Sequence, residues 1–160
     1  MLKSKLLIVI ATIVGIGFLS GCTAQKNYTA TKTSLELQSI QKQEFSTKYK
    51  IAFSSTLSVF QDKGYVVEAA NADTGLVTAA GHKTRGFIPF VGQSIEYVKA
   101  TAFIEDMPSG NVSIRLNFVN HQETSSGYGM KGGNSVPIED PKFYQGMFES
   151  IKKAIFVRSS

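Results

Sequence analysis

One cysteine stands in the whole chain of 160 residues, Cys22, and it closes an apolar run that begins at Leu6. A lone thiol cannot form an intrachain disulfide, and zinc sites built on clustered cysteines are excluded with it. Whatever folds beyond this point must hold together by packing alone. Lys3 and Lys5 precede the run, which measures about fourteen residues from Leu6 to Leu19 and carries Gly15 and Gly17 in its second half. A spanning helix needs about 20 apolar residues, so the segment has the proportions of a secretory signal and not of a retained anchor.

Leu19-Ser20-Gly21-Cys22 resembles the lipobox of bacterial lipoproteins. That resemblance implies cleavage before Cys22 and acylation of its sulfur, with residues 1–21 as signal peptide and Cys22 as the attachment to a lipid bilayer. Two or three acyl chains hold a protein stably at a membrane, where one chain does so marginally. Thr23, in place of Asp after Cys22, is similar to the sorting context for an outer membrane. The expected location is therefore the periplasmic leaflet of an outer membrane, or the outer face of the plasma membrane in a cell with a single one. Residues 22–34 are polar and small and are expected to act as a tether, and residues 35–160 as a single domain.

The formal charge of the full chain is +5, from 17 basic and 12 acidic residues. Lys3 and Lys5 leave with the signal, and the rest are scattered, with Lys152-Lys153 the only adjacent pair after Cys22. Nucleic-acid binding lacks its electrostatic footprint.

Leu35, Leu37 and Ile40, set among polar neighbours, predict a first strand running to about Phe45. From Ser46 the period changes: Tyr49, Ala52, Phe53, Thr56, Val59 and Phe60 predict a helix capped by Ser46 or Thr47 and stopped by Gly64. Tyr65 to Ala69 and Leu76 to Ala80 flank the turn residues Asn71 to Gly75, which predicts a hairpin. Residues 94–106 and 111–122 predict a second hairpin around Pro108 and Gly110, and Val112, Ile114, Leu116 and Phe118 alternate with polar neighbours as a half-buried strand does. Asp140-Pro141 reads as cap and first residue of a last helix with a broad apolar face. The order β-α-β-β-β-β-α predicts an α+β fold of two layers, an antiparallel sheet of about five strands with two helices on one face.

Two connections stand out. Residues 85–92 are apolar where a surface loop should be polar, and Phe87, Ile88, Phe90 and Val91 must either fold back over the sheet edge or contact a partner protein or a membrane. Residues 125–136 contain Gly127, Gly129 and Gly132 in Gly-x-Gly-x-x-Gly order, yet no strand-to-helix turn is expected around them, so a glycine-rich connection is the reading and not a dinucleotide site. No cofactor and no metal site is expected. His82 and His121, the only histidines, have no sequence-level partner for a triad, and Glu105-Asp106 and Glu139-Asp140 are explained by turns and capping. No catalytic residue is assigned, and the chain is read as a non-enzyme.

The strings Gln43-Glu-Phe-Ser-Thr, Leu57-Ser-Val-Phe-Gln-Asp-Lys-Gly-Tyr65, Thr74-Gly-Leu-Val-Thr-Ala79 and Asp140-Pro-Lys-Phe-Tyr-Gln-Gly-Met-Phe148 resemble a group of small, largely uncharacterised bacterial envelope lipoproteins. In order of elements the chain is also similar to the helix-and-sheet domains of the lipoprotein of the outer-membrane β-barrel assembly machinery. The resemblance implies a lipid-anchored, non-catalytic accessory or protein-interaction module with an envelope protein partner, and it brings no catalytic residue with it. The alternative is a module that binds a small amphiphile between sheet and helices, which an apolar cavity in the core would favour.

Overall fold

The computed structural model of the chain describes residues 32–160. The expected signal peptide, Cys22 and most of the expected tether lie outside the described residues. The described chain is α+β, with seven antiparallel strands in one open sheet and three helices. This exceeds the expected five strands and two helices: the added helix has a local cause, and the added strands, Thr84–Ile88 and Lys131–Pro137, form against longer partner strands.

The first is helix α1, Ser34–Gln41, where a strand was expected from Leu35. Thr33 and Glu36 form a capping box: the Glu36 amide donates to Thr33 Oγ1 at 3.3 Å, and the Thr33 amide donates to Glu36 Oε2 at 2.7 Å. Two otherwise orphaned donors are satisfied, and the helical option wins over the short alternation of Leu35, Leu37 and Ile40. The strand is confined to β1, Lys42–Phe45.

Helix α2, Tyr49–Asp62, starts later than Ser46 or Thr47 would set it. Its cap is Lys48, without a side-chain bond, and Thr47 Oγ1 is buried with no hydrogen-bond partner. The stop is as expected. Gly64 takes φ +82°, its amide donates to the Gln61 carbonyl, and the Tyr65 amide donates to Phe60 at 2.9 Å, which is a Schellman ending. Strands β2, Val66–Asn71, and β3, Leu76–Ala80, then form the expected hairpin, with a bulge between Val67 and Ala69.

Strand β4, Thr84–Ile88, replaces the expected apolar loop. It pairs with the start of the fifteen-residue β5, Gly92–Asp106, which pairs along nearly its whole length with β6, Val112–Ser125. Strand β7, Lys131–Pro137, occupies the expected glycine-rich connection and pairs with the end of β6. Helix α3, Pro141–Ser159, closes the chain, and Asp140 caps it by accepting from the Lys142 amide at 2.9 Å.

The sheet therefore has two halves along one central ribbon. In the first, the order is β1-β6-β5-β3-β2, and the register aligns Val77 with Ala102 and Leu116, Ala79 with Ala100 and Phe118, and Ile104 with Ile114. These rows face the helices and are fully or almost fully buried. The alanines let α2 lie close, while Phe118 meets Phe60, Tyr65, Phe143 and Tyr144 at ring distances of 4.8–6.0 Å. The Tyr144 hydroxyl accepts from the Phe118 amide and from Gln41 Nε2, tying α3 to β6 and α1. The space between sheet and helices is thus filled by an aromatic cluster around Phe118 together with aliphatic side chains such as Val59, Leu116, Met147 and Ile151. In the second half β4, β5, β6 and β7 run on beyond the helices as a four-stranded extension, and most of its side chains are exposed or only half-buried.

Candidate functional site: the apolar end of the sheet extension

A stack of four residues crosses the base of the extension on the face away from the helices. The Lys83 ammonium lies 5.0 Å above the Tyr97 ring, and that ring stacks on His121 at 5.3 Å and 16°. Ser135 Oγ is 2.9 Å from His121 Nδ1. Tyr97 also donates its hydroxyl to Glu123 Oε1 at 2.9 Å. This bond, with burial and the charges of Glu123 and Glu68, raises the phenol above its ordinary value. Cross-strand side-chain pairs of this kind stabilise a sheet that has no layer packed against it.

His121 has a hydroxyl within reach, but the Glu123 carboxylate accepts from Tyr97, so no carboxylate orients the imidazole among the described residues. His82 lies exposed between β3 and β4. The described residues contain no group of three or more metal-ligating side chains and no helix long and apolar enough to cross a membrane. Gly127, Gly129 and Gly132 lie in the β6–β7 turn and on β7, and no helix opens directly from them.

At the far end, two hairpin tips lie side by side. Gln93 pairs with Ser125, and Gly92 sits so close to the second tip that a Cβ there would come within 2.2 Å of the Ser125 carbonyl. Glycine is required, because φ is also +123°. The first tip closes through the Val91 amide donating to the Ile88 carbonyl at 3.1 Å, and it carries Phe90 fully exposed at φ +67°. Phe90 is the sole non-glycine residue with positive φ among the described residues. A left-handed backbone costs an L-residue roughly 1–2 kcal/mol, and burial returns nothing here. The second tip closes through the Ser126 amide and Met130 carbonyl at 2.9 Å, with Gly129 at φ +81°, and presents Tyr128 at 98% exposure and Met130 beside it.

Of the four residues singled out by sequence, Phe87, Phe90 and Val91 are exposed and Ile88 is half-buried, all at this end. They do not fold back over the edge: Phe87 and Ile88 are themselves part of an edge strand, facing Gln93 and Gly92. Tyr128 and Met130 escaped the sequence reading. Their signal was present, since a tyrosine and a methionine among glycines and serines are as anomalous in a turn as Phe90 is. Arg85 and Lys131 flank the two tips, and open recesses of about 490 and 390 Å³ lie along Arg85, Phe87, Gln93 and Ile95 and along Glu123, Ser125 and Lys131.

No protein-family description matches the chain, and no curated protein matches it. Among solved structures it is similar to a DUF4468 family protein from Bacteroides ovatus, at 10% identity and a TM-score of 0.39, over 71% of this chain and 84% of that one.

Proposed function

We propose that the chain is a lipid-anchored cell-envelope protein, held by acylated Cys22, whose folded domain serves as a non-catalytic accessory or interaction module in a membrane-associated assembly. The location that goes with this reading is the periplasmic leaflet of an outer membrane. The observation that carries it is the exposed apolar end, where Phe87, Phe90, Val91, Tyr128 and Met130 are gathered on two adjacent hairpin tips. Solvated apolar clusters mark contact surfaces. The aromatic filling around Phe118 favours this reading over the small-amphiphile alternative, which needs free apolar volume between sheet and helices.

Cross-linking of the full lipidated protein in its own membrane, followed by affinity recovery and mass spectrometry, tests the proposal. The expected result is a mature chain beginning at a diacylated Cys22 and one stoichiometric protein neighbour. An unmodified thiol at Cys22, or recovery of the chain with no neighbour, overturns it.

A further inference from the structure

We infer that the paired hairpin tips are a membrane-insertion device: Phe90, Val91, Tyr128 and Met130 enter the interfacial layer of an anionic bilayer while Arg85 and Lys131 meet its headgroups. The inference rests on the anchored reading above and specifies what the apolar end of that domain touches.

Three observations favour lipid as the occupant. The first is charge. Residues 84–94 and 124–134 contain Arg85 and Lys131 and no acidic side chain. The nearest carboxylates, Glu96 and Glu123, lie farther back and are engaged by Gln122 and Tyr97. A tip carrying only cations suits an anionic surface.

The second is shape. The apolar side chains sit on the convex ends of two adjacent turns, and Phe90 and Tyr128 are each almost completely free of protein neighbours. A fluid interface accepts such a protrusion without a matching groove, and aromatic side chains with a polar rim settle at headgroup depth. Tyr128 offers its hydroxyl to that layer while Phe90 and Met130 supply the apolar volume.

The third is reach. Lys32, the first described residue, donates from its ammonium to the Glu139 carbonyl, two residues past the end of β7. Strand β7 rises about 20 Å from Lys131 to Pro137 at roughly 3.4 Å per residue. Ten residue steps from Cys22 to Lys32 span at most about 33–36 Å. An anchor at Cys22 and tips in the same bilayer are therefore compatible with chain geometry. Acyl chains alone leave orientation free, and a second attachment fixes it.

The chain contains no tryptophan, so Phe90→Trp and, separately, Tyr128→Trp each place a single fluorophore at the tips. Full-length lipidated protein is reconstituted into vesicles of phosphatidylethanolamine with phosphatidylglycerol and into vesicles of phosphatidylcholine. Flotation with the vesicles reads the anchor. Emission wavelength and quenching by brominated acyl chains read the tips. We expect blue-shifted, quenched emission from both variants in the anionic vesicles, with weaker quenching after Arg85→Glu and Lys131→Glu. Phe156→Trp, on the exposed side of α3, should emit as in water. Protein that floats while both tip variants emit as in water overturns the insertion and leaves the anchor standing. Failure to float overturns the anchored reading itself. A photo-crosslinker at position 90 that captures one protein in native membranes and no lipid overturns the insertion in favour of a protein contact.

Discussion

Phe90 is the residue whose backbone and side chain disagree most with folding as the sole requirement. Its left-handed φ and full exposure both run against stability. Asparagine tolerates this backbone. Phe90→Asn should therefore leave the melting temperature unchanged or raise it, by up to about 1 kcal/mol in stability, and, under the proposed insertion, weaken quenching at the tips. Calorimetry with vesicle quenching of a Tyr128→Trp reporter checks both halves. Two glycines separate backbone conformation from crowding. Gly64 has φ +82° with open space around its missing Cβ, so Gly64→Ala should cost about 1–2 kcal/mol. Gly75 has φ +73°, and a Cβ there would lie 1.9 Å from the Ile104 carbonyl oxygen. Gly75→Ala should cost about 2–5 kcal/mol, since overpacking adds to the backbone term. Denaturant melts of the two variants compare them directly.

At the scale of elements, residues with strong local preferences were legible and residues organised from a distance were not. The Asn71–Gly75 turn, the alternation through Phe118, Gly64 as a helix stop and Asp140-Pro141 as a helix start each have a local cause, and each stands where the sequence places it. Helix α1 was legible too, but through the Thr33-Ser-Leu-Glu36 capping box and not through hydrophobic alternation. Strand β7 reads Lys-Gly-Gly-Asn-Ser-Val-Pro and has almost no strand propensity. It exists because β6 outlasts the core and offers it a row of backbone partners. Strand β4 forms in the same way against β5, which is why an apolar loop was the natural reading of residues 85–92. The apolar end was half legible: one tip announced itself through four bulky side chains, and the partnership with Tyr128 and Met130 depends on pairing far apart in sequence. Amides of β4, β7 and residues 93–98 should exchange with deuterium well before those of residues 99–106 and 112–118, because no helix covers them. Equal protection along β5 would show that the extension is as cooperative as the core.

For the whole molecule, stability concentrates on one side of the sheet. Phe118 joins β6 to both long helices and to Tyr65, so Phe118→Ala should cost about 3–5 kcal/mol and be felt throughout the helix-covered half. Chemical denaturation measures it. The pH dependence has a definite sign. Burial raises Tyr65; burial, then the charges of Asp106 and Asp73, raise Tyr49; and the bond to Glu123 leads the causes for Tyr97. A phenol whose folded value lies above its unfolded one contributes stability that is intact below the ordinary value of about 10 and is lost as pH rises through the raised one. Alkaline titration followed by near-ultraviolet circular dichroism should therefore show loss of structure above pH 10, and Tyr97→Phe should remove part of that sensitivity.

The poor strand-forming composition of β7 has a consequence for crowding. Copies confined to a surface meet at high two-dimensional density, and a sheet with bare edges invites them to zip together into fibres. An outermost strand with two glycines and a terminal proline is a weak template for such growth. The β7 edge of the extension is thus a poor seed for aggregation between copies.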